Sequence, residues 1–225
     1  MTFVILTCGI DLSVGAILAL SSALVAGMIV SGVDPVLAII LGCIIGAVLG
    51  MINGLLITKG KMAPFIATLA TMTVFRGLTL VYTDGNPITG LGTNYAFQMF
   101  GRGYFLGIPV PAITMVLAFV ILWVLLHKTP FGTAERTLSA ATKKAALISG
   151  IKVTRVKVMI YSLAGLLSAL AGAILTSRLH STQPTAGESY ELDAIAAVVL
   201  GGTSLSGGTR THCWHVNRGA DHRHT

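Results

Sequence analysis

Apolar positions in this chain gather into long runs separated by short polar gaps, and the gaps are too far apart for a soluble fold. A helix crossing the hydrocarbon core needs roughly 20 mainly apolar residues. Five runs meet that length, at residues 12–30, 35–57, 64–82, 110–127 and 156–176, and a weaker sixth covers 194–205. The pattern predicts an all-α polytopic integral membrane protein with about five to six transmembrane helices, part of a larger bundle. Asp34 followed by Pro35 marks a helix start, because Asp caps free backbone N–H groups and proline at the first helical position has none to leave unpaired. The second run carries Gly42, Gly46, Gly50 and Gly54 at intervals of four, a continuous groove that lets another helix approach closely.

Before the first run the pattern breaks. Residues 3–7 are apolar but too short to cross a bilayer, and no basic region or small-residue cleavage site marks a signal peptide. They read as the tail of an earlier helix whose start is absent from the chain. The stretch GIDLSVG at residues 9–15 then interrupts the helix, with Asp11 or Ser13 placed to cap the next one. Glycines and a carboxylate at membrane depth imply backbone that is buried in protein or lines a cavity, since lipid cannot satisfy it.

Composition agrees. Of the 225 residues, 54% are hydrophobic and 10% charged, and mean hydropathy is +0.83. A soluble domain carries about 25% charged residues, so much of this surface faces lipid. The net charge of +7 sits in the gaps rather than on one face with interleaved aromatics, which argues against nucleic acid. Short cytoplasmic loops are enriched in Lys and Arg. Lys59 and Lys61 follow the second run, and 128–157 adds Arg136, Lys143, Lys144, Lys152 and Arg155 against Glu135. Two spans separate these basic stretches, so both lie on one side, the cytoplasmic side, and 84–109 and 178–193 face outward. Cys8 and Cys43 lie in apolar runs and Cys213 near the end, so no disulfide is expected.

No constellation for catalysis is present. The chain has no phosphate-binding Gly-x-x-x-x-Gly-Lys-Ser/Thr loop and no His-Glu-x-x-His. His127 reads as an interfacial residue at a basic helix end. Arg76 is the one basic residue well inside an apolar run, which makes it a functional candidate; snorkelling, or a structural pair with an acid such as Asp11, is the competing reading. Asp11, Ser13, Arg76, Gly201 and Gly202 are the candidate pathway or packing residues, and no metal site is expected.

Three stretches carry a resemblance: GIDLSVG, FIATLATMTVFRGLTLVYTDG at 65–85, and QPTAGESYELDAIAAVVLGGTSLSGG at 183–208. From about residue 2 to 208 the chain resembles the membrane permease subunits of bacterial ABC importers for monosaccharides, and within them those for ribose. The resemblance implies an inner-membrane subunit, not an enzyme and binding no cofactor of its own, that forms the pathway with a second permease subunit as a homodimer. It further implies a separate cytoplasmic ATP-binding subunit that uses the ATP, and a periplasmic sugar-binding protein. Residues Ala145, Ala146, Leu147, Ile148, Ser149, Gly150 and Ile151 match the family's coupling helix, which docks on the ATPase. Small Ala and Gly permit close docking there, while Leu147 and Ile148 can fill a pocket. A self-contained secondary transporter or channel is the alternative, but such carriers place more ionisable residues within their spans than Asp11 and Arg76.

Glu188, Glu191 and Asp193 form an acidic window after the breakers Pro184 and Gly187. An external loop meeting a basic binding protein and a merely solvated loop both fit. Gly201-Gly202 and Gly207-Gly208 imply a bent, closely packed element. The expected domain division is 1–208, an incomplete permease domain, and 209–225, an aberrant, disordered tail. The tail holds His212, His215, His222, His224 and Cys213 but is neither apolar nor periodic. One back-translation shifted by one base reads ARGRIVGTLIGALIIG, an apolar helix-like run, so a shifted frame is expected in place of a metal site. A similar shift near residues 134–143 makes the charges there less trustworthy.

Overall fold

Long apolar segments in water-free surroundings satisfy their own backbone within one segment as helices, and helices dominate. The computed structural model describes residues 1–7, 9–92, 95–128 and 153–202. Among these, the elements in order are α1 (Thr2–Leu6), α2 (Val14–Val30), α3 (Pro35–Thr58), α4 (Pro64–Thr83), α5 (Tyr95–Arg102), the hairpin strands β1 (Tyr104–Phe105) and β2 (Ile108–Pro109), α6 (Val110–Lys128), α7 (Val153–Leu179) and α8 (Tyr190–Leu200). Three of them, α3, α4 and α7, are long and apolar enough to cross a membrane; the apolar stretches Val14–Val30 and Val110–Leu125 are shorter. The all-α, multi-pass architecture read from the runs is what the structure shows.

At the centre is α2, packed against α3, α4 and α7. Eleven of its 17 residues are buried, the arrangement required of a helix that is apolar on every side. The glycine row on α3 does what its spacing predicts. A methyl group at Gly46 would overlap the Gly165 carbonyl of α7 and press on Ala169; at Gly50 it would overlap the Tyr161 carbonyl, and at Gly54 it would crowd Val158. Gly42 meets Val25 of α2 instead. The two backbones therefore touch, and Ser162 of α7 donates its hydroxyl to the Ala47 carbonyl of α3 at 2.9 Å.

Helix ends follow local chemistry. Asp34 caps α3 as expected, its Oδ1 accepting from the backbone N–H of Val36 at 2.9 Å and Leu37 at 3.2 Å. The cap proposed for α2 is corrected. Ser13 occupies the N-cap position with no side-chain bond to the helix, because its hydroxyl is engaged elsewhere. Helix α7 runs past its apolar core at both ends, since polar residues such as Arg155 and Arg178 extend a helix without adding hydropathy.

The two ends of the bundle differ in chemistry. Lys61 and Lys157 line one cavity with Pro64 and Val153, where α3 and α4 meet the start of α7. At the opposite end Ile88 and Thr182 form an antiparallel bridge, and Arg102 Nε donates to the Arg178 carbonyl at 2.7 Å. Lys61 and Lys157, one from each basic gap, thus lie at the end opposite the Ile88–Thr182 bridge. The tail from residue 209, the anomalous stretch near 134–143 and Cys8 lie outside the described residues.

Candidate functional site

Two polar sites sit inside the apolar bundle. The first is the break between α1 and α2. Asp11 and Ser13 are fully buried, and Asp11 Oδ1 accepts from both the Ser13 N–H at 2.9 Å and the Ser13 hydroxyl at 2.6 Å. Ser13 Oγ in turn accepts from Asn53 Nδ2 of α3 at 2.6 Å. On the other side Thr68 of α4 donates to the Ile10 carbonyl at 3.2 Å. The unwound backbone is thus held from two helices, the condition under which non-helical chain is tolerated at membrane depth. Asp11 Oδ2, Asn53 Oδ1 and the Tyr161 hydroxyl are buried with no partner among the described residues. Asn53, which ties Ser13 to α3, was not singled out from the sequence; an amide inside the glycine row was the available signal.

The second site is built by Arg76. Its Nη1 donates to the carbonyls of Pro184 at 3.0 Å and Ala186 at 2.9 Å. It makes no pair with Asp11, so that structural reading is replaced by a backbone clamp. The acceptors lie in a segment that does not stay outside. Thr182 donates toward the Ser22 carbonyl at 3.4 Å, whereas Gly187 lies against Gly15 and Leu18. From Ser22 to Gly15 is seven residues of α2, roughly 10 Å at 1.5 Å per residue. Residues 183–187 therefore descend into the bundle alongside α2, and the assignment of all of 178–193 to an external loop is corrected.

Gly187 permits that descent. Its φ of +70° lies in the region that favours glycine, and a methyl there would meet the Gly15 carbonyl oxygen at 3.0 Å. Ser189, at φ +67°, then turns the chain into α8, whose first turn carries Glu191 and Asp193. Acidic residues favour a helix N-terminus, which is why α8 begins at Tyr190 rather than at the first apolar residue, Ala194. The Glu191 carboxylate also sits over Gly15 at the start of α2. Of the three acids read as one loop, this one is packed against a helix.

Gly201 and Gly202 end α8. Gly202 takes φ +89°, so the bend is present, but both are exposed and a methyl at Gly202 would meet nothing within 4 Å among the described residues. Among the described residues nothing packs closely on Gly202, and Gly207 and Gly208 lie outside them. The coupling segment, Ala145, Ala146, Leu147, Ser149 and Gly150, lies outside the described residues. No group of three His, Cys, Asp or Glu side chains that would hold a metal occurs among the described residues.

Residues 1–209 match the family model described as the permease component of branched-chain amino acid transport systems. The chain is 93% identical over 208 residues to the ribose import permease protein RbsC of Bacillus subtilis (strain 168), covering 92% of this chain and 64% of the relative. It is 48% identical over 210 residues to that of Escherichia coli (strain K12), covering 92% and 65%. To the D-allose transport system permease protein AlsC of the same strain it is 42% identical over 207 residues, covering 92% and 63%. The chain thus spans just under two thirds of the length of these relatives. No solved structure matches.

Proposed function

The chain belongs to the family of permease components of branched-chain amino acid transport systems, and on that premise we propose that it is a transmembrane subunit of an ATP-driven importer of ribose or a similar monosaccharide. The observation that carries the substrate class is the 93% identity to a ribose import permease. With D-allose and ribose permeases both among its relatives, a neutral polyhydroxy solute fits better than the amino acid of the family description.

The subunit works without chemistry of its own. Having no phosphate-binding loop, it takes its power stroke from a cytoplasmic ATP-binding partner, which docks on residues 145–150 through small side chains that allow close contact. A second permease subunit, most simply another copy, completes the pathway, and a binding protein delivers the sugar outside the inner membrane. Uptake of labelled D-ribose by cells carrying the chain with its ATPase should stop on ATP depletion. Uptake that persists would instead favour a self-contained carrier. Replacing Ala146 or Gly150 with Trp should lower stimulation of the ATPase at least fivefold with membrane insertion unchanged, measured on the assembled complex; normal stimulation in both variants removes the coupling assignment.

A further inference from the structure

The descending segment 181–190 has two faces, and only one is accounted for by Arg76 and α2. Pro184 and Gly187 are buried, whereas Gln183, Thr185, Glu188 and Tyr190 are exposed. These four line a cavity of about 220 Å³ together with Ser181. None of the five side chains makes a polar contact with another described residue.

Their depth decides what faces them. Residues 183–187 pass from the level of Ser22 to that of Gly15, and Arg76, which clamps them, lies within the apolar span of α4. A carboxylate and an amide at that depth do not face lipid tails, because intramembrane ionisable groups turn to protein or to a water-filled cavity. A continuous exposed apolar surface lies on other helices. Ile40, Ile44 and Val48 of α3 and Val74, Leu78 and Val81 of α4 are all exposed and apolar. The polar cavity is therefore the wet side of the subunit.

Its chemistry is selective. Glu188 offers carboxylate acceptors, Gln183 an amide with both donors and an acceptor, and Ser181 and Thr185 hydroxyls. Tyr190, 48% exposed, presents an aromatic ring, and Leu175 and Leu179 of α7 supply an apolar side. No Lys or Arg lines the cavity, so the carboxylate of an amino acid would find no cation, and Glu188 would repel it. A neutral ring with hydroxyls on its edge and C–H groups on its face matches both the polar groups and the tyrosine. The volume lies below the ~300–1,000 Å³ of sites for drug-sized ligands, which suits a solute smaller than those.

We infer that Gln183, Thr185, Glu188 and Tyr190 form a monosaccharide-contacting cradle in the wall of the translocation pathway, with Arg76 holding the segment that carries them. The inference rests on the sugar-importer reading and adds the residues that touch the sugar. The deciding experiment is saturation-transfer NMR on the chain in lipid nanodiscs, with D-ribose, D-allose and L-leucine as probes. Transfer to both sugars and none to leucine is expected, reduced at least threefold by Gln183→Ala, Glu188→Ala and Tyr190→Ala. Val81→Ala, on the apolar face, should change nothing. Absence of sugar transfer in the unaltered chain, equal transfer to leucine, or undiminished transfer in all three variants would overturn the cradle. Uptake assays on the assembled importer separate the two claims. ATP-dependent ribose uptake with an unchanged ribose-to-allose ratio in all three variants removes the cradle and leaves the importer standing; ribose uptake that ignores ATP removes the importer.

Discussion

Asp11 has one carboxylate oxygen bearing two hydrogen bonds and another bearing none among the described residues, so its position depends on Ser13. Ser13→Ala removes the hydroxyl that Asp11 accepts from and strands the Asn53 amide in a buried place, which costs about 1–3 kcal/mol. Thermal unfolding in detergent should show the midpoint fall, and adding Asn53→Leu should recover part of the loss because no unpaired amide remains. A midpoint unchanged by Ser13→Ala would mean the contact carries no stability. Arg76 makes a parallel case. Arg76→Met removes two charge-assisted bonds, each worth about 1.5–3 kcal/mol, and frees the segment at 184–186; proteolytic cleavage there should accelerate, while cleavage after Lys61 should not. Both charges were legible in the sequence because ionisable groups stand out in apolar runs. Their partners were not, since Asn53 lies 40 positions from Ser13 and the carbonyls clamped by Arg76 lie 108 and 110 positions away. Backbone acceptors carry no residue signature at all.

The helix pair α3 and α7 was the most legible element, because close packing of helices in lipid demands small residues and four glycines in register supply them. Gly50→Leu puts a side chain into the Tyr161 backbone, which no rotamer can avoid, so folded yield should collapse. Gly77 of α4 provides the contrast. A methyl there meets nothing within 4 Å among the described residues, and Gly77→Ala should stabilise by roughly 0.5–1 kcal/mol through helix propensity alone. Equal stability of the two variants would show that α3 and α7 do not touch as described. Less legible were α5 and the descent of 183–187. Helix α5 is short and amphipathic, held by a bond from the Ser177 hydroxyl to the Phe97 carbonyl and by Arg102 on Arg178, contacts that no hydropathy window registers. The descending segment reads as a loop because Pro184 and Gly187 break helices whether the chain leaves the bundle or enters it.

At the scale of the molecule, the arrangement of ends is a consequence of charge and span counting, and it fixes an orientation that can be measured. Lys61 and Lys157 share one end, and the Ile88–Thr182 bridge marks the other. Basic loops remain cytoplasmic because translocating Lys and Arg is disfavoured, so Asn86 should lie outside and Lys61 inside. With Cys8, Cys43 and Cys213 replaced, Asn86→Cys should react with an impermeant maleimide in intact cells, and Lys61→Cys only after the membrane is opened. A cysteine at Gln183 gives the sharper reading, because it lies on the segment that descends but faces the wet cavity. It should label from outside more slowly than one at Asn86, and D-ribose should slow it further if the cavity holds sugar. Labelling at Lys61 but not Asn86 in intact cells would invert the orientation, and with it the sides proposed for the coupling segment and the sugar cradle. Labelling at 183 as fast as at 86 would put the segment back in an external loop, in conflict with its contacts to Gly15 and Leu18.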